Sequence, residues 1–293
     1  MKEMKMNRIN SSSLFHFTNG IEALRGILKK GFRYSYCYEE YNNAIVFNNE
    51  HKEHASFFIG SNGTKRGVAI PMICFCDIPL LRVQEHAECY GEYIIGIDKN
   101  YAEALYQNLN PVLYLFSNRM SLALCDISVS KDNFKCEHTH DYSQSVNHLI
   151  AYSKRYSGFD LYRNKETCFY DEREWRTVIP DGKDKVGKPS WIWNIEFKSK
   201  DEYKKYIAPY NEKLQSSEAG YLKFIEFQED DDENHFCNFI THIIVSKEKE
   251  IPDLIEYILN TENILFGYKN ISKKARMILV SKITSFERIG KDF

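Results

Sequence analysis

Two carboxylates with a single residue between them, Glu172 and Glu174, stand inside a segment that otherwise has the composition of a β-strand. The segment, TCFYDEREWRTVIP at positions 167–180, is apolar and β-prone on both sides of the acids. On a strand, Glu172 and Glu174 would share one face, opposite Arg173 and Trp175. Such a pair can stabilise a developing positive charge and accept a proton. The alternatives are a solvated strand face or ion pairs with the neighbouring arginines.

His16 is the second candidate for chemistry. It lies in the apolar segment Ser13–Thr18 (SLFHFT), which predicts a strand on which His16 and Thr18 point the same way. Asn19 follows at the N-cap position of a predicted helix, with a glutamate three residues on as in a capping box. The helix is predicted to end at Gly31. A strand histidine is also common as a structural residue, so residue type alone does not decide its role.

The cysteines and histidines lack the spacing of a metal site. Cys74 and Cys76 are one residue apart in an apolar run, with His86 and Cys89 nearby. Structural zinc sites instead pair cysteines two to four residues apart and add a matching second pair. We therefore expect reduced, buried thiols and no metal. The chain also has no Walker motif, Rossmann glycine fingerprint or nucleophile elbow.

Bulk composition limits the class of protein. The chain has 293 residues and a formal net charge of −2, so no global basic signal points to nucleic acid. The 20 tyrosines and 19 phenylalanines favour an ordered globule that contains a sheet. No apolar run is long enough for a membrane span. The eight cysteines follow no export signal, which predicts a cytoplasmic protein with no membrane partner.

Hydrophobic patterning predicts a mixed fold. Apolar, β-prone runs predict strands at Val68–Ile78, Tyr93–Ile97, Val112–Phe116, Cys168–Ile179, Trp191–Phe197, Ile240–Val245 and Ile278–Ile283. Helical patterns occur between these runs, so the sequence predicts one α+β domain over residues 1–293. Residues 34–67, which are rich in Tyr, Asn and His with weak periodicity, are predicted to form a loop-rich insertion.

Several motifs resemble a known family. They are LFHFT (14–18), IPMICFCDIPL (70–80), YGEYIIGIDK (90–99), NPVLY (110–114), YDEREWR (170–176) and FITHIIVSKE (239–248). This combination resembles the bacterial abortive phage-infection family AbiGi and covers most of the chain. The opening LFHFTNGIEALRGILKKGF (14–32) also looks like the start of the ADP-ribosyltransferase-like fold of DNA-modifying toxins of the DarT kind. The resemblance implies a split sheet with an NAD pocket.

The resemblance also implies roles for particular residues. Glu174 or Glu172 would be the essential glutamate, placed against an oxocarbenium-like transition state as in glycoside hydrolysis. His16 would bind the nicotinamide-side ribose, with Thr18 as a secondary polar contact. The tyrosine that stacks on nicotinamide would be one of two candidates, Tyr90 and Tyr93.

Two functions follow from the resemblance, and the sequence leaves both open. The first is an anti-phage enzyme that transfers ADP-ribose from NAD to a macromolecule, protein or nucleic acid, or hydrolyses NAD. The second is a non-catalytic antitoxin of a two-gene abortive-infection system, which neutralises a partner toxin or binds DNA at its own operon. The absence of a recognisable helix-turn-helix counts against operator binding.

Overall fold

A computed structural model gives the architecture of the chain. It describes residues 11–40, 66–100, 102, 108–116, 142–160, 163, 165–182, 189–197, 199–222, 237–264, 268–269 and 271–292.

Strands and helices are interspersed through this part of the chain. The strands are β1 (Ser13–Thr18), β2 (Ser35–Glu40), β3 (Arg66–Cys76), β4 (Tyr93–Asp98), β5 (Asn110–Pro111), β6 (Leu113–Leu115), β7 (Ser153–Arg155), β8 (Ser157–Asp160), β9 (Lys165–Cys168), β10 (Glu174–Val178), β11 (Ile192–Glu196), β12 (Ile240–Val245), β13 (Asn263–Ile264), β14 (Tyr268–Lys269) and β15 (Ile283–Ser285). The helices are α1 (Ile21–Lys30), α2 (Val83–Tyr90), α3 (Tyr142–Ala151), α4 (Lys200–Gln215), α5 (Ile251–Asn260), α6 (Lys273–Val280) and α7 (Phe286–Asp292). This pattern confirms the α+β class.

Nine of the strands in the described residues form one sheet. Seven lie in the order β15-β12-β4-β1-β3-β10-β5, and β2 and β11 also pair with β3. The β12–β15 pair is parallel, and the other pairings in this sheet are antiparallel. The short pairs β6–β7, β8–β9 and β13–β14 lie outside it.

The long strand β3 is shared between two halves of this sheet. Along one edge, Gly67–Met72 pair with β2, whereas Cys76 pairs with β1. Along the other edge, β11 pairs near the start of β3 and β10 pairs with Met72–Cys76. The sheet therefore divides at β3, where β1 and β2 separate.

Hydrophobic cores cover both faces of the sheet. The larger core joins Leu14 of β1 and Phe75 of β3 to helices α1, α4, α5 and α6. On the opposite face, Phe15 and Cys76 pack with α2 and α7, and a third cluster joins Met72 to α3. Because both faces are buried, β3 reads as a continuous apolar run.

Helix α1 begins one residue later than predicted. Its N-cap is Gly20, and no side chain caps it, so the prediction that Asn19 caps this helix is wrong. Its end is as predicted, because Gly31 has φ 97° and its N–H donates to the carbonyl of Ile27.

Two further predictions need correction. Ile278–Ile283 is not a strand: α6 continues to Val280, and only Ile283–Ser285 pairs as β15. A short apolar run of this kind does not distinguish a buried strand from a helix segment. Residues 34–67 are not all loop, since Ser35–Glu40 form β2 and β3 begins at Arg66. The rest of that insertion lies outside the described residues, and the single-domain assignment stays a prediction.

Candidate functional site

The acidic motif is a turn followed by a strand. Phe169–Glu172 form a 3-10 turn, and Arg173 adopts the left-handed conformation with φ 43°. Strand β10 begins only at Glu174. The prediction of one strand over Cys168–Ile179 is therefore wrong, because the left-handed residue breaks the extended backbone. Glu172 and Glu174 do not share a strand face by periodicity.

Both glutamates nevertheless converge on one cation. Lys154 Nζ lies 2.8 Å from Glu172 Oε2 and 3.0 Å from Glu174 Oε2. Lys154 is carried by β7, and its ammonium also lies over the ring of Phe169, 4.9 Å from the centroid. Since Glu174 is only 6% exposed, this contact lies in the interior.

Arg176 binds Glu174 at two points. Its Nε lies 3.0 Å from Glu174 Oε1 and its Nη2 2.9 Å from Glu174 Oε2. The same guanidinium contacts Glu39 Oε1 at 3.0 Å and donates to the carbonyl of Ala151 at 2.7 Å. Arg176 is 0% exposed. A planar guanidinium that is bidentate to a carboxylate is among the strongest pairings available to a buried charge.

Glu172 is bound from the other side by Tyr90 and Arg163. The Tyr90 hydroxyl donates to Glu172 Oε1 at 2.7 Å, and Arg163 Nη2 lies 2.9 Å from the same oxygen. The Arg163 guanidinium stacks over the Tyr90 ring at 5.3 Å and donates to Cys89 Sγ. The buried charge cluster thus consists of Glu39, Tyr90, Lys154, Arg163, Glu172, Glu174 and Arg176. It contains three carboxylates and three cations, and Arg163 also pairs with the buried Asp160 at 3.5 Å.

The cluster shifts the titration of its members. Burial alone would raise the pKa of Glu174, but the charges of Arg176 and Lys154 outweigh burial and hold that pKa well below its ordinary value. Burial lowers the pKa of Lys154, but the charges of Glu174, Glu172 and Glu39 raise it by more, so the pKa lies above its usual range. Burial raises the pKa of Glu39 despite Arg176 and Lys154. The cluster keeps Glu174 ionised at neutral pH.

His16 and Glu174 point to opposite faces of the sheet. Cys76 stands opposite both Phe15 of β1 and Glu174 of β10, and residues opposite one another in antiparallel pairs share a face. His16 follows Phe15, so it points the other way, towards the larger core. The structure therefore does not bring His16 to the glutamates.

The surroundings of His16 explain why it is there. Its Nδ1 donates to the carbonyl of Cys74 at 2.8 Å, at the point where β1 separates from β3. Its ring packs edge-on against Phe32 and also contacts Phe75. Burial lowers the pKa of His16 and outweighs the hydrogen bond to Cys74, which raises it, so the neutral ring with its proton on Nδ1 is favoured. His16 thus satisfies the main-chain carbonyl of Cys74 with its side chain.

Thr18 and Tyr93 also lie away from the cluster. They stand opposite each other on β1 and β4, on the His16 side of the sheet. The Tyr93 hydroxyl donates to Glu250 at 2.7 Å, and burial together with this carboxylate raises the pKa of Tyr93 to about 12. Of the two tyrosines considered, Tyr90 is the one that lies at the glutamates.

All four carboxylate oxygens of Glu172 and Glu174 already accept hydrogen bonds or ion pairs. Glu174 Oε1 accepts from Arg176, and Oε2 accepts from both Arg176 and Lys154. Glu172 is bound by Lys154, Tyr90 and Arg163. The residues match only part of the NAD pocket that the resemblance implies. Tyr90 contacts Glu172, whereas His16 lies on the opposite face of the sheet.

Sequence reasoning missed the cations of the cluster. Lys154 and Arg163 lie between the predicted strands Val112–Phe116 and Cys168–Ile179, where the sequence shows more polar and helical character; Lys154 is on β7, and Arg163 follows β8. Glu39 falls in the segment read as a loop. The available signal was physical: carboxylates in an apolar segment need cationic partners, although the sequence does not say which cations these are.

The cysteines and histidines form no metal centre in the described residues. No group of three or more His, Cys, Asp and Glu side chains there is arranged to hold a metal ion. The six described cysteines are free thiols. His86 is buried, with its ring stacked on Phe17.

Within the same described ranges, no helix is long and apolar enough to cross a membrane.

Comparison with known proteins places the chain. A family model described as "Putative abortive phage resistance protein AbiGi, antitoxin" matches residues 35–231, more than half of the chain. The chain belongs to the AbiGi family. It is also similar to the "Abortive phage resistance protein AbiGi" of Lactococcus lactis subsp. cremoris, with 28% identity over 244 residues that cover 76% of this chain and 89% of the relative. No solved structure matches.

The matched region contains the whole buried charge cluster, from Glu39 to Arg176. His16 and Thr18 lie before it. The part of the chain that shows the AbiGi family is therefore the part that builds the cluster.

Proposed function

We propose that this AbiGi-family chain is a non-catalytic antitoxin, which protects the cell by binding a partner toxin of the same abortive-infection locus. The toxin would be neutralised by occlusion or distortion of its working surface. No covalent chemistry by this chain is needed for that role.

The state of Glu174 carries this proposal. A carboxylate that stabilises a transition state must reach the reacting atom, and the donors around it must be arranged for the charge that develops there. Glu174 is buried, and both of its oxygens are held by Arg176 and Lys154. Breaking these bonds to admit a substrate would take one carboxylate partner from each of two buried cations, which is costly. Glu174 is placed to hold the fold together.

The family description supports the same role. The word "antitoxin" belongs to the description of the AbiGi family, and the matched region spans most of the structure around the cluster. A binding role needs a stable surface, which the buried charge cluster beneath it can provide.

Growth rescue tests the proposal. The toxin of the same locus is induced in a bacterial host with this chain supplied from a second plasmid. We expect wild-type protein to restore growth and to co-purify with the toxin. Leu24→Asp is the matched negative control, because it places a carboxylate at a fully buried position of the larger core. Growth arrest despite folded wild-type protein would contradict the proposal.

NAD-dependent chemistry on an ADP-ribosyltransferase-like fold is the second candidate. Two observations favour it: Tyr90 meets Glu172 beside Glu174, and the sheet divides at β3 in the manner that a split sheet implies. ADP-ribose would then pass to an acceptor protein or nucleic acid, or to water.

Nicotinamide release separates the two candidates. Purified protein is incubated with NAD, with and without total cell protein and nucleic acid as acceptors. The antitoxin proposal predicts no release above the blank. Release by the wild-type protein would contradict the antitoxin proposal, and its loss in Glu174→Gln, assayed below the melting temperature of that variant, would establish the second candidate instead.

A further inference from the structure

Four aromatic side chains form a continuous strip beside the buried charge cluster. Tyr156 and Tyr170 are stacked, with centroids 5.2 Å apart and planes at 18°. Phe116 meets Tyr156 edge-on at 5.0 Å, and Tyr114 meets Tyr170 edge-on at 5.4 Å. The aromatic strip (Phe116, Tyr156, Tyr170 and Tyr114) therefore joins three separate segments of the chain.

The outer part of the strip is open to solvent. Phe116 is 81% exposed and Tyr170 is 45% exposed. Leu113, on the adjoining strand β6, is also exposed. Large aromatic side chains gathered at a surface add little to folding, whereas they dominate the binding energy of protein interfaces. The strip has the composition of an interface centre.

The buried charge cluster holds the strip in place. The main-chain N–H of Glu174 donates to the Tyr114 hydroxyl at 2.8 Å. Tyr170 lies on the 3-10 turn, and its main-chain carbonyl accepts from the N–H of Arg173 at 3.1 Å. Arg173 has the left-handed conformation, which costs free energy in a residue other than glycine. Anchoring Glu172 and Glu174 on either side of Arg173 stabilises this turn.

A fixed turn has a consequence for binding. Side chains that are already ordered lose less conformational entropy when a partner binds, so each contact contributes more to affinity. The acidic motif 170–176 therefore has two parts: its glutamates are fastened inside, and Tyr170 and Asp171 face outward.

An exposed carboxylate, Asp171, stands directly beside the strip, and the half-buried Arg173 follows two residues later. Asp171 is exposed, follows Tyr170 directly and forms no salt bridge with any described residue. Glu166 is exposed in the neighbouring hairpin, and Lys165 is the exposed cation next to it. A surface for nucleic acid needs an excess of cations against the phosphates. This surface instead suits a protein partner with basic side chains.

We propose that the aromatic strip with Asp171 is the surface that grips the toxin, and that the toxin presents an apolar pocket flanked by Lys or Arg. This inference rests on the proposed antitoxin function. Phe116 and Tyr170 enter the pocket, and Asp171 pairs with the basic rim.

Binding of the purified toxin of the same locus tests this surface by calorimetric titration. Tyr170→Ala should weaken the affinity at least about 30-fold, as for a central aromatic contact. Asp171→Lys should weaken it at least about 10-fold through repulsion from a basic rim. Tyr206→Ala is the matched control, because Tyr206 is a 41% exposed tyrosine on α4. It should change the affinity less than about twofold.

The outcomes separate the surface from the function. If wild-type protein does not bind the toxin, the antitoxin function and this inference fail together. If wild-type protein binds and neutralises the toxin while Tyr170→Ala and Asp171→Lys bind equally well, the function stands and the surface is wrong. Asp171→Lys alters an exposed side chain, so it decides the question even if Tyr170→Ala lowers the melting temperature. Binding of a 12-nucleotide polyuridine probe that Tyr170→Ala abolishes would replace the protein partner with nucleic acid.

Discussion

Glu174 and Arg176 lie two residues apart on one face of β10 and form a two-point ion pair in the interior, with donor–acceptor distances of 3.0 and 2.9 Å. Arg176 extends the pairing to Glu39 on β2, and Glu174 extends it to Lys154 on β7. Strand β10 is therefore linked to β2 and β7 by buried ion pairs. This relationship makes the acidic motif part of the architecture, and it leads to measurable consequences.

Removing the charge of Glu174 should destabilise the protein. Glu174→Gln keeps the size of the side chain but leaves Arg176 and Lys154 undercompensated in the interior. We expect a loss of about 3–5 kcal/mol in the free energy of unfolding, measured by urea denaturation. Glu166→Gln, at an exposed position of β9, is the control and should change stability by less than about 0.5 kcal/mol. Equal stability of the two variants would show that the ion pair contributes nothing.

Acid should remove the contribution of Glu174. Its pKa in the folded protein is held below the ordinary value of 4.5, so its stabilising effect is complete above that pH and declines as pH falls below it. The stability difference between wild type and Glu174→Gln should therefore shrink below pH 4.5, by up to about 1.4 kcal/mol per pH unit. Glu39, whose pKa is raised by burial, acts in the opposite direction, so the difference between the two proteins is the quantity to measure. A difference that stays constant from pH 7 to about pH 3 would contradict this pairing.

His16→Ala should act on stability rather than on any ligand. The substitution leaves the Cys74 carbonyl without its donor and opens space between Phe32 and Phe75. An unpaired buried acceptor and a small cavity together should cost about 2–4 kcal/mol of unfolding free energy. Thermal and urea unfolding measure this loss. Unchanged stability with weakened NAD binding would instead return His16 to the role that the family resemblance implies.

Two glycines should respond to alanine in opposite directions. Gly91 ends α2 with φ 105°, and a Cβ there would lie 2.2 Å from the carbonyl oxygen of Thr18. Gly91→Ala should therefore cost at least about 2 kcal/mol in urea denaturation. Gly26 lies inside α1 with nothing within 4 Å of the added atom. Gly26→Ala should raise the free energy of unfolding by about 0.5–1 kcal/mol. A lower free energy of unfolding in this variant would show that the space around Gly26 is occupied.

Much of the fold could be predicted where one physical signal dominates. Strands β1 and β12 have the predicted bounds, Ser13–Thr18 and Ile240–Val245, because short apolar runs with turn residues at their ends leave few alternatives. The end of α1 at Gly31 was also predictable, since a glycine there satisfies the left-handed position. Residues 278–280 were read as a strand because a short apolar run does not distinguish a strand from a partly buried helix end.

The candidate site was less predictable, because it depends on contacts distant in sequence. The glutamates were identified from their unusual place in an apolar segment. Their partners Lys154 and Glu39 come from β7 and β2, and no local pattern joins these to β10. Periodicity also could not foresee that Arg173 adopts φ 43°, which moves Glu172 off the strand. The opposite orientations of His16 and Glu174 follow from pairing register, which only the assembled sheet determines.

The central claim is that the protein protects by binding and not by consuming NAD. The most direct measurement is a calorimetric titration of the purified toxin of the same locus with this protein in buffer free of NAD, with toxin activity assayed at each point. The account predicts saturable binding and toxin inhibition that rises in step with occupancy. Inhibition that requires NAD, or no binding by folded protein, would contradict it.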